Sequence, residues 1–228
     1  MDRRLKRIAI YGGTFDPVHL GHLETAKHVA ELFDIDELLF VPAQHAPHKL
    51  EQKVTAPLHR YAMLALATQD SARLKVSTFE LEEPDRRYTV DTLAFFQAQF
   101  GTSARLFFLM GSDSWLEITS WREWEQLMSM ASHIVVTRPG YPIELGHIKP
   151  SVAERIVDLQ GASRSEALQT IDSSAAKLIF LTDIVRIDVS ATEIRQFARA
   201  DRKDDLLKVV PPPVADYILK YTLYKNFE

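Results

Sequence analysis

Cysteine is absent from all 228 residues of the sequence. This absence excludes disulfide bonds, thiolate metal sites and thiol catalysis, and it fits a protein of the reducing cytoplasm. Long apolar runs are also lacking, and none approaches the roughly 20 residues that a membrane-spanning helix needs. The basic start at residues 3–7 precedes an apolar run of only residues 8–11, which is too short for a signal peptide. We therefore expect a cytoplasmic protein with no membrane partner.

An excess of charge of one sign is missing as well. The 27 Lys and Arg residues nearly balance 31 Asp and Glu residues, for a net charge of −4. Because such a chain has no general attraction for a nucleic-acid backbone, we expect no nucleic-acid partner, and an anionic ligand must be bound by a local cluster. The composition is otherwise that of an ordinary globular protein, and it leaves a homo-oligomer open.

Short apolar runs alternate with stretches of helical spacing along the chain, which is typical of βαβ units. The run at 106–110 is apolar at consecutive positions, as expected of a strand that helices cover on both faces. The pattern predicts an α/β fold with a Rossmann-like, doubly wound parallel sheet. Strands are predicted near residues 8–11, 38–41, 74–79, 106–110, 134–137 and 178–181.

The length favours a single domain over residues 1–228. The polar stretch at about 141–176 contains several prolines and glycines, and we interpret it as an insertion or lid with one or two helices. Residues of about 190–228 are predicted to form a helical C-terminal part. In this part three consecutive prolines, residues 211–213, precede a final amphipathic helix.

The most informative segment, residues 12–22, follows the first predicted strand and reads Gly-Gly-Thr-Phe-Asp-Pro-Val-His-Leu-Gly-His. Ligands of open α/β sheets bind at the carboxyl ends of strands, where this segment must lie. Its glycines let backbone amides approach an anion, Asp16 suits a helix N-cap and Pro17 suits the first turn. His19 and His22 then share one helix face near the positive end of the dipole. These features are typical of a phosphate site.

A second candidate phosphate-binding segment occurs late in the chain, at residues 189–195. Ser190 and Glu193 form a capping-box pattern, which predicts the start of a helix. Ser190 and Thr192 place hydroxyl groups at that start, and Arg195 adds a guanidinium in the next turn. This combination is suited to the oxygens of a triphosphate.

A third cluster, His45, His48 and Lys49, follows the second predicted strand in a loop that prolines stiffen. It is suited to the local basic cluster that the net charge requires. Together with His19 and His22, these histidines also allow a transition-metal site. We disfavour that interpretation because no Cys, Asp or Glu lies at ligand spacing.

The segment at 12–22 resembles the signature of the nucleotidylyltransferase superfamily, and residues 190–195 resemble that superfamily's late Ser-Ser/Thr-x-Ile-Arg element, with Ala191 at a position where a hydroxyl residue is common. Further segments, in order and spacing, are similar to those of the bacterial nicotinate-nucleotide adenylyltransferase family. These segments begin at Arg60, Tyr88, Met110, Trp121 and Arg138.

The resemblance implies transfer of the adenylyl group of ATP to nicotinate mononucleotide, which forms deamido-NAD and pyrophosphate. It assigns catalysis to His19, His22 and Arg195. The residues that it implies for ATP binding are Gly12, Gly13, Thr14, Phe15, His19, His22, Gly111, Asp113, Ser190, Thr192 and Arg195. Those implied for nicotinate mononucleotide are His48, Lys49, Tyr88, Thr89 and Trp121. Mg²⁺ is the expected cofactor, bound mainly by substrate phosphates rather than by a protein metal site.

Alternatives stay open at this point. One alternative is that the acceptor is nicotinamide mononucleotide or another phosphorylated compound. Backbone amides would recognise the carboxylate of nicotinate, and a sequence does not show such contacts. A non-catalytic nucleotide sensor on the same fold is another. Asp113 also suits the N-cap of the next helix, and Trp121 also suits core packing. Glu83 and Arg87 occupy positions where the family often has arginine and serine. How these two residues affect the edge of the substrate-binding site is open.

Overall fold

Alternating apolar and amphipathic segments fold into one seven-stranded parallel sheet with helices packed on both faces. The computed structural model describes residues 4–44, 54–82, 88–137, 143–183 and 189–225. The strands are β1 (Lys6–Gly13), β2 (Glu37–Pro42), β3 (Leu74–Val76), β4 (Ala104–Gly111), β5 (Ser132–Val136), β6 (Ile156–Asp158) and β7 (Ile179–Thr182).

The helices are α1 (Leu20–Leu32), α2 (Pro57–Thr68), α3 (Phe79–Glu82), α4 (Thr89–Phe100), α5 (Ser112–Leu116), α6 (Trp124–Met130), α7 (Pro150–Ala153), α8 (Arg164–Asp172), α9 (Ala191–Arg199), α10 (Lys203–Val209) and α11 (Pro212–Lys220). Short 3₁₀ turns lie at Gly101–Ser103 and Ile118–Ser120. No helix in the described ranges is both long and apolar enough to cross a bilayer.

The order of the strands is β3-β2-β1-β4-β5-β7-β6, with every pairing parallel. The chain moves outward from β1 through β2 to β3, and then returns to the other side of β1 with β4. A crevice therefore opens between the carboxyl ends of β1 and β4, where such sheets bind ligands. The predicted doubly wound, Rossmann-like α/β class is confirmed.

Strand β4 shows why its sequence is apolar at consecutive positions. Phe107 and Leu109 point into the core on one face of the sheet, and Leu106, Phe108 and Met110 point into the core on the other face. Because helices cover both faces, neither set can be polar. The central strands are thereby anchored on both sides, and the loops at their carboxyl ends start from fixed positions.

The amino ends of the strands are stabilised by two arginines. Arg7 of β1 is 3% exposed, and it donates to the Phe33 carbonyl and pairs with Asp172 at the end of α8. Arg105 of β4 donates to the carbonyls of Ile171 and Ala176. These contacts lie at the end of β1 and β4 opposite the crevice.

The segment around residues 141–176 differs from its sequence interpretation in one respect. Its described part, from residue 143, contains the two helices α7 and α8, but it also contributes β6, which pairs with β7 at the edge of the sheet. That strand has only three residues and ends in an aspartate, so it carries no usable apolar pattern. The lid function stays a prediction.

The predicted strand at 74–79 is also shorter in the structure. β3 ends at Val76, and α3 begins at Phe79. The Phe79 ring stacks on Phe95 of α4 at 4.0 Å between centroids. Packing against α4 therefore converts the end of an apolar run into a helical turn.

Candidate active site

The loop after β1 forms one wall of the crevice. Gly13 sits under the ring of Phe15, and a Cβ atom built on Gly13 would lie 2.8 Å from the Phe15 Cζ atom. Phe15 itself has a φ of 49°, in the left-handed region. Its ring is 3% exposed and packs edge-on against Tyr11, Phe40 and His22. Ring packing therefore requires a glycine at position 13.

His19 and His22 bind each other's backbone at the start of α1. The His22 amide donates to His19 Nδ1 at 3.4 Å, and the His19 amide donates to His22 Nδ1 at 3.3 Å. The rings stack with centroids 3.6 Å apart. An imidazole whose Nδ1 accepts a hydrogen bond carries its ring proton on Nε2 when neutral, so both Nε2 atoms are donors. This is a reciprocal capping arrangement built from two imidazoles.

The expectation that Asp16 is the N-cap was wrong, because His19 occupies that position. Asp16 is instead 7% exposed and accepts two hydrogen bonds with its carboxylate. The donors are the Thr55 amide at 3.0 Å and the Tyr224 hydroxyl at 2.9 Å. Pro17 consequently lies in the loop before α1 rather than in the first helical turn. Asp16 therefore attaches the loop after β1 to two distant segments.

The opposite wall of the crevice begins at the carboxyl end of β4. Gly111 is the N-cap of α5, and Asp113 lies in the first turn, so the suggestion that Asp113 is the N-cap was wrong. The Trp121 ring packs edge-on against Phe108 of β4, with centroids 6.3 Å apart. The indole is thus part of the wall, and at the same time packs against the core beneath it.

A cavity of about 260 Å³ lies between these two walls. It brings together eight of the residues named from the sequence: Gly12, Gly13, Phe15, His19, His22, Gly111, Asp113 and Trp121. The remaining lining residues are not among the predicted site residues, although Gly21, Met110 and Val189 belong to segments named from the sequence. They are Tyr11, Gly21, Thr25, Phe108, Met110, Ser112, Ser114, Val136, Thr137 and Val189. Most of these follow directly from the strand ends, since they lie at or just after the carboxyl ends of β1, β4 and β5.

The segment at 189–195 reaches the same site from the C-terminal helices. Ser190 is the N-cap of α9 and accepts from the Glu193 amide at 3.1 Å, as its capping pattern predicts. Arg195 donates to the Asp16 carbonyl at 2.8 Å and to the Thr192 hydroxyl at 3.1 Å. The start of α9 is therefore docked on the loop after β1. Thr14, Ser190, Thr192 and Arg195 lie within the described residues but do not line the cavity, although Gly13, Phe15 and Val189, their neighbours in sequence, do.

Fewer of the residues expected to bind nicotinate mononucleotide line the cavity than of those expected to bind ATP. Tyr88 is the N-cap of α4 and is 37% exposed, with the Arg122 guanidinium 4.8 Å from its ring centroid. Thr89 is the first residue of α4. Neither lines the cavity within the described ranges. His45, His48, Lys49, Glu83, Arg87 and the segment at 138–140 lie outside the described residues.

The carboxylate of Glu80, near the start of α4, has a raised pKa. Burial raises the pKa of Glu80 to about 6, against the opposing effect of a hydrogen bond from the Thr92 hydroxyl at 2.7 Å. The Gln44 amide also donates to this carboxylate. Glu80 thus connects α4 with the residues that follow β2.

No group of three or more His, Asp or Glu side chains able to bind a metal ion occurs among the described residues. The cavity provides hydroxyl groups from Thr25, Ser112 and Ser114 and the carboxylate of Asp113. Oxygen donors of this kind suit a magnesium ion that already has phosphate and water ligands. They are too few for a complete protein metal site.

Comparison with known proteins places these features in a family. The family model described as cytidylyltransferase-like matches residues 10–197. A protein of Thermoanaerobacter sp. strain X514, named probable nicotinate-nucleotide adenylyltransferase, is 36% identical over 228 residues, which are 100% of this chain and 98% of that protein. A protein of the same name from Mycolicibacterium vanbaalenii is 35% identical over 224 residues, covering 98% of this chain and 94% of that protein.

A solved structure has the same architecture. It is the Plasmodium falciparum nicotinic acid mononucleotide adenylyltransferase complexed with NaAD, which matches with a TM-score of 0.70 over 98% of both chains, at 24% sequence identity. At this identity the likeness concerns the fold. The sequence matches extend over the whole chain and include the two walls of the cavity. The chain belongs to the cytidylyltransferase-like family and, within it, to the nicotinate-nucleotide adenylyltransferases.

Proposed function

We propose that this protein transfers the adenylyl group of ATP to nicotinate mononucleotide, releasing pyrophosphate and forming deamido-NAD. The observation that carries the proposal is the pair His19 and His22. Their rings cap the N-terminus of α1 and line a cavity beside Gly12 and Gly13, at the crevice of a doubly wound sheet. Family membership supports the class of reaction, and this geometry supports the proposal that the phosphates bind here.

The nucleophile in this reaction needs no protein base. A phosphomonoester has a second pKa near 6, so the mononucleotide phosphate is mainly a dianion at neutral pH. One of its oxygens attacks the α-phosphorus of ATP, the bond from that phosphorus to the bridging oxygen breaks, and pyrophosphate leaves with the electron pair. The protein must therefore position two anions and stabilise negative charge on the leaving group.

In this proposal His19 and His22 bind the α-phosphate and its bridging oxygen. Both imidazoles have Nδ1 occupied by a backbone amide, which leaves Nε2 as the donor in a fixed orientation. The N-terminus of α1 adds a favourable dipole for an anion. Donors that are fixed before the substrate binds cost no reorganisation during the reaction, which is the main requirement for stabilising a transition state.

Arg195 is proposed to act on the β- and γ-phosphates, together with amides at the start of α9. Its guanidinium is held by the Asp16 carbonyl and the Thr192 hydroxyl, so it lies next to the loop that carries the two histidines. A guanidinium can donate to two phosphate oxygens at once. Asp113, on the opposite wall, suits a ribose hydroxyl of the nucleotide.

The acceptor is proposed to bind on the side of Trp121. An indole face attracts a cationic pyridinium ring, and the Trp121 indole lines the cavity. Tyr88 and Thr89 lie at the N-terminus of α4, where helix amides favour a carboxylate. His48 and Lys49 complete the proposed mononucleotide site by binding its phosphate.

Magnesium is part of the proposal as a companion of ATP. When bound to the phosphates, it neutralises part of the charge that separates the two substrates. Asp113, Ser112 and Ser114 line the cavity with oxygen-bearing side chains, and they would contact its water ligands. A cytoplasmic location is also proposed, because ATP is available there and the sequence has no cysteine that would require oxidation.

The deciding experiment measures pyrophosphate release from ATP and Mg²⁺ with nicotinate mononucleotide and, in parallel, with nicotinamide mononucleotide. We expect a higher kcat/KM with the nicotinate form. A preference for the nicotinamide form would contradict the proposed acceptor. ATP binding without pyrophosphate release in the presence of either acceptor would contradict the transferase activity and favour a nucleotide sensor.

A further inference from the structure

Arg60 is a buried arginine of α2 whose guanidinium binds three separate segments of the chain. It is 1% exposed. Nε donates to the Thr55 carbonyl at 2.9 Å, Nη1 to the Thr14 carbonyl at 2.7 Å and Nη2 to the Ala43 carbonyl at 2.6 Å. Because the guanidinium is planar and rigid, these bonds fix the three carbonyls relative to one another.

Two of these segments are the loops that the reaction must bring together. Thr14 lies between Gly13 and Phe15, which both line the cavity. Ala43 is the residue immediately after β2, and its amide donates to the Gly13 carbonyl at 2.9 Å. Ala43 therefore contacts the loop after β1 directly and, through Arg60, a second time at Thr14. Ala43 precedes in sequence the proposed phosphate ligands at residues 48–49, which lie outside the described residues.

The third acceptor connects Arg60 to the network around Asp16. The carbonyl of Thr55 accepts from Arg60, and the amide of the same residue donates to the Asp16 carboxylate. Asp16 also accepts from the Tyr224 hydroxyl, and its carbonyl accepts from Arg195. Thr55 therefore links Arg60 to Asp16. The carbonyl of Asp16 in turn accepts from Arg195, which is proposed to bind the triphosphate.

The electrostatics show that Arg60 is costly to bury. Burial lowers the pKa of the Arg60 guanidinium below its ordinary value, and the nearby charge of Asp16 opposes this shift. Backbone carbonyls are its hydrogen-bond acceptors rather than a carboxylate in direct contact. Burying this cation is tolerated because its planar guanidinium donates to three carbonyls at once. A shorter or more flexible side chain does not reproduce that arrangement.

We propose that Arg60 is a positioning residue for adenylyl transfer. By holding Thr14 and Ala43 on one guanidinium, it sets the distance between the loop for the α-phosphate of ATP and the loop that leads to the mononucleotide phosphate. The inference rests on the proposed function, since it requires two phosphates at these two loops. Arg60 does not line the cavity, so it acts through the backbone of Thr14 and Ala43.

This role has a kinetic signature. In the proposed function each substrate also has contacts outside these two loops, so binding of either one alone depends little on how the two loops are aligned. The attack of one phosphate on the other depends on both loops, and a misplacement of about 1 Å can lower the rate of such a step by about 10²-fold. Loss of Arg60 is therefore expected to lower kcat and to leave both KM values nearly unchanged.

Arg60→Lys is the variant that tests this signature, because it keeps the charge and cannot donate to all three carbonyls in one plane. We expect kcat for pyrophosphate release to fall about 10- to 100-fold, with KM for ATP and for nicotinate mononucleotide within about threefold of the wild type. Arg60→Gln, which is neutral, provides a second variant. Calorimetric binding of α,β-methylene-ATP gives the fraction of competent protein, so that a loss of folded enzyme is not counted as a loss of kcat.

Arg105→Lys is the matched control, since Arg105 also donates to two backbone carbonyls but lies at the opposite end of β4. It should lose thermal stability and keep the wild-type kcat per competent site. Wild-type kcat in Arg60→Lys, a loss confined to KM, or a loss that Arg105→Lys shares would each overturn the proposal. Failure of both Arg60 variants to fold would also overturn it, because Arg60 would then be a folding residue.

The outcome is separable from that of the proposed function. Wild-type turnover with nicotinate mononucleotide is measured first. If the wild type uses nicotinamide mononucleotide instead, the proposed acceptor fails, and the comparison of Arg60→Lys with Arg105→Lys is made with that acceptor. If the wild type releases no pyrophosphate with either, both the transferase proposal and the role of Arg60 are overturned.

Discussion

Alanine at position 13 should destabilise the protein, whereas alanine at the adjacent position 12 should not. A Cβ atom on Gly13 would lie 2.8 Å from the Phe15 Cζ atom and 3.1 Å from two further ring carbons. A Cβ atom on Gly12 would meet the nearest carbons of Phe108 at 3.6 Å, which is an ordinary contact. The two glycines are neighbours in one strand, so the pair isolates the steric effect.

The magnitude follows from what the Phe15 ring must do. To restore normal contact the ring has to move by more than half an ångström, yet it is 3% exposed and packs against Tyr11, Phe40 and His22 with centroids 5.0 to 5.4 Å away. Overpacking of this kind costs about 1–3 kcal/mol. For a chain of this size, each kcal/mol lowers Tm by about 2–4 °C, so a cost of about 2 kcal/mol, the middle of that range, lowers Tm by roughly 4–8 °C.

Thermal unfolding followed by circular dichroism, without substrate, measures this difference directly. Gly12→Ala should unfold within about 2 °C of the wild type, since it creates no close contact. A Tm for Gly13→Ala equal to that of the wild type would refute the packing argument, and so would an equal loss in both variants. Because the displaced ring contacts His22, Gly13→Ala should also lower kcat; an unchanged kcat would show that the two rings move independently.

Three further predictions concern the site and its surroundings. His19→Ala or His22→Ala should lower kcat by about 10²- to 10³-fold, the scale of losing one preorganised donor, and near-wild-type turnover in the folded variant would contradict the assignment. Trp121→Ala should raise KM for nicotinate mononucleotide far more than KM for ATP, whereas equal increases would indicate a packing role. Burial lowers the pKa of His133 to about 3, so stability should fall by at most about 1.4 kcal/mol per pH unit as pH drops below 6.5. His133→Phe, measured by Tm between pH 6.5 and 4.5, should lose less stability than the wild type over that range; parallel Tm curves would contradict this.

The sign of the last effect follows from proton binding. His133 is 0% exposed and remains neutral in the folded protein, while the unfolded chain takes up a proton at this residue below about pH 6.5. The unfolded state therefore gains protons first as the pH falls, and the folded state loses relative stability. Phenylalanine removes this difference, and its ring suits a site beside Phe108.

The sequence predicts the sheet well where a strand is long and buried on both faces. The run at 106–110 is apolar at every position because β4 lies between two cores, and this pattern is visible without a structure. β6 escapes prediction since three residues at a sheet edge bury little. At 74–79 the strand-like pattern continues past the end of β3. The Ser77 hydroxyl accepts from the Phe79 amide at 3.2 Å and the Phe79 ring stacks on Phe95, and both contacts favour a helical turn at Phe79.

The candidate site shows a similar division. The motif at 12–22 correctly places Gly12, Gly13, His19 and His22 at one cavity, because the carboxyl end of a strand is predictable. The cap of α1 was assigned to Asp16 on the usual preference for aspartate, but the imidazoles of His19 and His22 bind the helix amides instead.

Arg60 was visible only as part of a family segment. Its acceptors are the backbone carbonyls of Thr14, Ala43 and Thr55. Every residue type has such a carbonyl, so no pattern of side chains reveals the contact. For this reason, tertiary hydrogen bonds to the main chain are the part of a site that is hardest to predict from a sequence.

The two walls of the crevice come from different strands, and this separation has an evolutionary consequence. His19 and His22 follow β1, whereas Gly111, Asp113 and Trp121 follow β4. On the proposed assignment, the groups that act on the α-phosphate and the indole that selects the acceptor can mutate independently. On this assignment a new acceptor needs changes at Trp121 and in the other acceptor segments, at 48–49 and 88–89, while the two histidines after β1 stay unchanged. One ancestral scaffold can thereby supply transferases for many phosphorylated acceptors.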